Sequence, residues 1–294
     1  MSKQKFKSAR FHQDSKFLIA YSNKIIEEYL AMGIRLSLRQ LYYRLVGLDI
    51  IPNTIPSYKK LGTVISKARL AGLVDWDAIE DRTRQAVIKS EWSSISSIIE
   101  SALAAYRLPR LDGQYHYVEL HCEKDALSSV LEPIASKYHV VLMVNRGYSS
   151  QSAMYETACR IQKNMVRYGS QYTTILYLGD LDPSGEDMVR DIQERMEVFR
   201  TPVVVKKVAL NIDQVEEYNL PPNPAKLTDT RAGEFIAKYG YESWEVDAIP
   251  PQTLQQLVSE ELDELLDLDT VASIKEAEER DKEQIRRYLE TLEE

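Results

Sequence analysis

Three carboxylates in this chain stand where a phosphate-handling metal site would be built: Glu123, Asp180 and Asp182. Glu123 follows directly on the run HYVELHC (116–122), and the two aspartates close the run TTILYLGDLD (173–182), just ahead of Pro183-Ser184-Gly185. Both runs are rich in β-branched and aromatic residues and read as strands of a parallel sheet. In such sheets ligands and reacting groups collect at the carboxyl ends of the strands, which brings all three acids to one edge. The i, i+2 spacing of Asp180 and Asp182 lets both approach one centre as the strand turns. Hard oxygen donors with no Cys or His cluster beside them suit Mg²⁺. A magnesium ion held this way serves phosphoryl transfer, because it neutralises charge on the phosphate under attack. Taken alone, the Asp-x-Asp is weak evidence, since a solvated turn ahead of a helix explains it more often than a metal site does.

The elements that must position these acids alternate in period. After HYVELHC comes a helical segment, DALSSVLEPIASKY, then a second strand-like run, HVVLMV (139–144), a turn at Gly147 and a helix from about Gln151 to Tyr168. The run ending in Asp182 is third, followed by a helix from Gly185 to Phe199, and PVVVKKVAL (202–210) is fourth. Strands alternating with helices predict a parallel sheet covered on both faces. The N-terminal third has a helical period instead. Leu18, Ile19, Ile25, Ile26, Tyr29 and Leu30 form one stripe between Lys16 and Met32, and Ser37 stands as N-cap before LRQLYYRLVGL. A Pro52–Pro56 loop leads to a third helix over Tyr58–Ala71, then LVDWDAI offers a short extended element before a long helix around Trp92–Tyr106. Three short helices and an extended element fit a helix-turn-helix or winged-helix domain; a plain three-helix bundle fits the same pattern.

Charge separates these parts. The chain has 294 residues and a net charge of −8, yet residues 1–110 carry +8 and residues 111–294 carry −16. The basic part has the footprint of a polyanion-binding module, with Lys59, Lys60, Lys67 and Arg69 on the third helix as candidate DNA contacts and Lys124 and Arg146 near the acidic edge as two more. The 14 acids and 5 bases of Gln255–Glu294 read as a solvated helical tail. No apolar run is long enough for a membrane span. No apolar signal core follows the N-terminus, and two cysteines are too few for a disulfide framework or structural zinc site, so the expectation is a cytoplasmic, nucleoid-associated protein. The segments NLPPNPAKLTDTR (219–231) and SWEVDAIP (243–250) suggest no clear chemistry, beyond a minor contribution of Glu245 and Asp247 to the metal site.

A strand ending in Glu together with a strand ending in Asp-x-Asp-Pro-x-Gly, in one parallel α/β unit over about residues 114–210, resembles the TOPRIM domain of topoisomerases, primases and a class of nucleases. The resemblance implies metal or acid–base roles for Glu123 and Mg²⁺ binding by Asp180 and Asp182. Arg39-Gln40-Leu41-Tyr42-Tyr43 in turn resembles the Arg-Asp-Ile-Tyr-Tyr motif of the topoisomerase VI A subunit and the related meiotic double-strand-break transesterase, with Gln40 in place of the usual Asp. In that family the second tyrosine, here Tyr43, is the nucleophile and sits on a winged helix preceding the TOPRIM domain. Arg39 lies one helical turn away, where its charge can favour the phenolate.

The implied organisation is a winged-helix domain (1–110), a TOPRIM domain (111–210) and a C-terminal helical extension (211–294). The implied activity is Mg²⁺-dependent cleavage of duplex DNA through a 5′-phosphotyrosyl link. It would be carried out by a homodimer in which nucleophile and metal site come from different protomers. No GxxxxGK[ST] loop occurs, so a full topoisomerase cycle would need a separate ATPase subunit. Two other readings stay open: a TOPRIM nuclease in which water attacks and Tyr43 only packs, and a DNA-binding module without turnover. A primase fits least, for want of a zinc-binding N-terminal module.

Overall fold

The computed structural model describes residues 3–79, 91–145, 147–224 and 231–293. Its centre is a four-stranded parallel sheet of β1 (His116–Cys122), β2 (Val141–Val144), β3 (Tyr172–Leu178) and β4 (Val204–Ala209), in the order β2-β1-β3-β4. The helices between strands are α5 (Ser128–Tyr138), α6 (Gln151–Tyr168) and α7 (Pro183–Val198). The chain leaves β1 towards β2 and leaves β3 towards β4, so the direction of winding reverses between β1 and β3. That crevice is the place where such sheets bind ligands, and Glu123 and Asp180 flank it.

The strands predicted from sequence are all present, β1 with its predicted ends and the other three with shifted ones. The second begins at Val141, because His139 takes a left-handed conformation (φ 56°) and closes the preceding helix. The helix after β3 starts at Pro183 rather than Gly185, because Asp182 caps it.

Three helices precede the sheet: α1 (Gln13–Ala31), α2 (Leu38–Gly47) and α3 (Ile55–Leu70). Ser37 caps α2 as expected, and Gln40 completes a capping box by accepting the Ser37 N–H at 2.8 Å. Leu41 and Leu45 of α2 and Leu61 and Ala68 of α3 are fully buried and share the interior with Ile25, Ile26 and Tyr29 of α1. The extended element expected after α3 is reduced, among the described residues, to isolated bridges at Lys5–Ala71 and Leu36–Ile79. Residues 80–90 lie outside the described residues. The helix α4 (Ile95–Ala105) is shorter than the sequence suggests.

The C-terminal part is woven into the rest. After α8 (Ile212–Glu217), a two-residue pair joins β5 (Asn223–Pro224) to β6 (Glu242–Ser243), with α9 (Ala232–Tyr239) between them. A 3-10 turn at Val246–Ala248 packs on α2, and α10 (Pro251–Leu265) packs on α5, β1 and β4. The tail is a helix, α11 (Leu268–Glu293), but it is not simply solvated. Its Glu278 is buried, pairs with Arg110 at 2.7 Å and Lys282 at 2.6 Å, and accepts the Leu108 N–H at 2.9 Å. Among the described residues no helix is long and apolar enough to cross a membrane.

Candidate functional site

The crevice between β1 and β3 is built by backbone first. The Glu123 N–H donates to the Leu178 carbonyl at 2.9 Å, so the first strand's end is locked to the third's. The Glu123 carboxylate then accepts the Asp180 N–H at 3.3 Å. Gly185 lets the chain double back onto Asp180, since a Cβ there would sit 2.2 Å from the Asp180 carbonyl oxygen. The aspartates of the Asp-x-Asp take different partners. Asp182 accepts the Gly185 N–H at 2.7 Å as the cap of α7, while Asp180 turns into the crevice.

A segment far away in sequence closes that crevice. Leu181 and Trp244 exchange two backbone hydrogen bonds, at 2.9 and 3.0 Å, as an antiparallel bridge. The bridge brings Glu245, Val246 and Asp247 against Asp180, whose Oδ1 accepts the Val246 N–H at 2.9 Å. Asp247 is 3 % exposed, and among the described residues neither of its side-chain oxygens has a hydrogen-bond partner. Sequence reasoning gave Glu245 and Asp247 only a minor part, because nothing local announces that residues 243–247 pair with residue 181.

Two cations meet these acids. The Lys124 ammonium lies 2.7 Å from Asp180 Oδ1, 3.0 Å from Glu245 Oε2 and 3.6 Å from Asp247 Oδ2. Arg39 of α2 pairs with Glu245 at 2.5 Å and reaches Asp247 at 3.4 Å. Burial pushes the Asp180 carboxyl up to about 7; Lys124 opposes the shift, while Glu123 and Asp247 add to it. Burial also acts to raise Glu245, but the Lys124 and Arg39 charges prevail and hold it below the usual carboxylate range.

Tyr43, one turn along α2 from Arg39, completes the arrangement. It is 6 % exposed and stands beside Arg39, Glu245 and Asn223. Burial pushes its phenol up to about 12 and the Glu245 charge adds to that; hydrogen bonding from Asn223 and the Arg39 charge pull the other way. Asn223, from the Pro-rich segment without assigned chemistry, is fixed by Asn53, whose amide donates to Asn223 Oδ1 at 3.0 Å. Tyr42 has separate work: its hydroxyl lies 3.0 Å from Asn53 Oδ1 and 3.1 Å from the Thr54 carbonyl. Gln40, standing where an acid would be expected, faces the cap of α2, and the acid beside Tyr43 is Glu245.

The candidate DNA contacts divide. Lys59, Lys60 and Lys67 are exposed on α3. Arg69 is turned inward: its guanidinium donates to the Trp76 and Ile79 carbonyls and stacks on the Trp76 ring at 4.7 Å. Lys124 is committed to the carboxylates rather than to open surface, with its side chain 16 % exposed. Arg146 lies outside the described residues.

The acidic side chains of this edge offer carboxylate oxygens, and among the described residues those of Asp247 accept no hydrogen bond; Asp180, Glu245 and Asp247 meet Lys124, and the last two also meet Arg39. That donor set fits Mg²⁺. Among the described residues no three acids, histidines or cysteines converge as a ready metal shell, since Lys124 stands between Asp180, Glu245 and Asp247. No protein-family model matches the sequence, and no curated protein matches it.

Proposed function

We propose that this protein cleaves duplex DNA by transesterification, with Tyr43 as nucleophile and the carboxylate edge as its metal-binding partner. The observation that carries the reading is one continuous chain of contacts. It runs from Tyr43 through Arg39 and Glu245 to Lys124 and Asp180, joining a helix of the basic region to the crevice of the sheet. A winged-helix and TOPRIM pairing, of the kind found in topoisomerase VI A subunits, accounts for both halves of that chain.

In the reaction the Tyr43 phenol oxygen forms a bond to phosphorus while the bond from phosphorus to the 3′ oxygen breaks. The phenol proton passes to Glu245, and the departing 3′ oxygen takes a proton from water, leaving a 5′-phosphotyrosyl end and a 3′ hydroxyl. Arg39 favours the phenolate and the charge on the phosphate. A bound Mg²⁺ supplies further positive charge at the phosphate under attack. Lys59, Lys60 and Lys67 offer phosphate contacts that set the position of the duplex without reading its sequence. A homodimer that cuts both strands, and a separate ATPase subunit for strand passage, belong to this proposal. Tyr43 stands beside Glu245 of its own chain, which links it through Lys124 to the acids of the crevice.

One observation favours the second reading, a metal-dependent endonuclease in which water attacks. Tyr43 is buried, and its phenol is held neutral well above physiological pH. The transesterase reading therefore requires DNA binding to open the Tyr43 pocket. Duplex DNA incubated with Mg²⁺ and quenched in detergent separates the two. The proposal expects a protein–DNA adduct that is lost in Tyr43→Phe. Free-ended products at undiminished rate from the Phe variant would establish the water reading instead.

A further inference from the structure

The resemblance to TOPRIM proteins gives the cation to Glu123, Asp180 and Asp182, but these side chains are differently employed. Asp182 spends an oxygen on capping α7, and Glu123 holds the Asp180 N–H. The carboxylates that surround a common cation are Asp180, Glu245 and Asp247, and the cation among them is the Lys124 ammonium. A lysine ammonium is a compact charge with three donors, and here three carboxylates face it. Asp247 lies 3.6 Å from it and 3.4 Å from Arg39 Nε, and among the described residues neither of its oxygens accepts a hydrogen bond, an expensive state for a carboxylate with a fully buried side chain.

We propose that the divalent-cation centre of this protein lies between Asp180, Glu245 and Asp247, at the place held by Lys124, and that Lys124 is its built-in competitor. This rests on the reading of the edge as a Mg²⁺ site and adds its ligands and its regulation. Without a divalent ion the ammonium keeps the acids from repelling one another. When the ion enters, Lys124 swings out. It is then released from the Glu245 carboxylate that also binds Arg39 and stands beside Tyr43, so metal loading and the surroundings of the nucleophile are coupled. Asp247 is the ligand the competitor satisfies least, and therefore the one with most to gain from the exchange.

Mn²⁺ binding to the full chain without DNA, followed by electron paramagnetic resonance of the free ion, tests this apart from any cleavage. Lys124→Met removes the competitor at similar length and is expected to tighten Mn²⁺ binding by about tenfold or more. Asp247→Asn is expected to weaken it by about tenfold, a difference of about 1.4 kcal/mol, while Asp182→Asn stays within about threefold. Circular dichroism melting of each variant confirms that it is folded, and Lys124→Arg, which keeps the positive charge, is expected to bind as weakly as the parent. Binding that is unchanged or weaker in Lys124→Met overturns the proposal. So does loss in Asp182→Asn with Asp247→Asn unaffected, or absence of Mn²⁺ binding in every form. Because adduct formation is read separately, either idea can fail while the other stands.

Discussion

Two buried carboxylate groups, one in the middle of β1 and one at the carboxyl-end edge of the sheet, are built on opposite terms. Glu119, in the middle of the strand, is completely buried and completely answered. Arg160 donates to both its oxygens at 2.9 Å, Tyr117 donates at 2.8 Å, and His121 lies 3.0 Å away. Burial acts to raise its pKa, yet hydrogen bonding from Arg160 and His121 outweighs burial and holds it down at about 2. At the crevice, Asp180 is also buried but is pushed up to about 7, and among the described residues Asp247 beside it accepts no hydrogen bond. A carboxylate that serves the fold is given its full complement of donors. A set that leaves negative charge in excess is costly to fold and therefore points to a positively charged ligand.

That contrast can be broken by experiment, and the largest effect is expected on the closed side. Glu119→Gln takes the counter-charge from the partly buried Arg160 and disturbs a fully buried hydrogen-bond network, and a loss of about 3 kcal/mol in urea unfolding is expected. The pH dependence follows in sign. With its folded value depressed to about 2, Glu119 contributes stability that is present above its ordinary value of 4.5 and is lost as pH falls from there towards 2.

Gly185→Ala comes next, because its methyl would meet the Asp180 carbonyl. About 1–3 kcal/mol of stability should be lost by the same measurement, together with weakened Mn²⁺ binding as Asp180 is displaced. Unchanged binding would separate the turn from the site.

The smallest effect has the opposite sign. Asp180→Asn at pH 8 without divalent ions should be neutral or stabilising by about 1 kcal/mol, because it relieves a surplus of acid. The folded pKa of Asp180 is raised, so the protonated form favours folding; that contribution is intact below 3.8 and is lost as pH rises through about 7. The Asp180 contribution to the urea midpoint of the parent in chelator should therefore fall between about pH 4 and 7 and level off above that, and Mg²⁺ should offset the loss. A loss in Asp180→Asn as large as that in Glu119→Gln would erase the distinction between the two groups.

How much of this was legible in the sequence follows from the range of each interaction. The strands β1 and β3, the Ser37 cap and the stripe on α1 depend on neighbours a few residues apart, and the sequence displays them. The ends of β2 and α7 shifted because His139 and Asp182 act as caps, which a hydrophobic pattern does not mark. Glu123 and Asp180 were found because strand ends in a parallel sheet share an edge. Glu245, Asp247 and Asn223 were not given their place, because their approach depends on the Leu181–Trp244 bridge and the Asn53–Asn223 contact, both between residues remote in the chain. Lys124 was read as a DNA contact because it stands beside the metal-site acids at the end of β1. Only the geometry of three converging carboxylates turns it inward.

The central claim is that Tyr43 is the residue that joins DNA, and peptide mapping tests it most directly. Protein trapped on duplex DNA in Mg²⁺ is digested with nuclease and then with trypsin, and the Gln40–Arg44 peptide is sequenced by mass spectrometry. The account predicts a nucleotide on Tyr43 and none on Tyr42, whose hydroxyl is engaged by the Asn53–Thr54 loop. A nucleotide on any other residue, or an unmodified peptide from cleavage reactions that leave free 5′-phosphate ends, would contradict it.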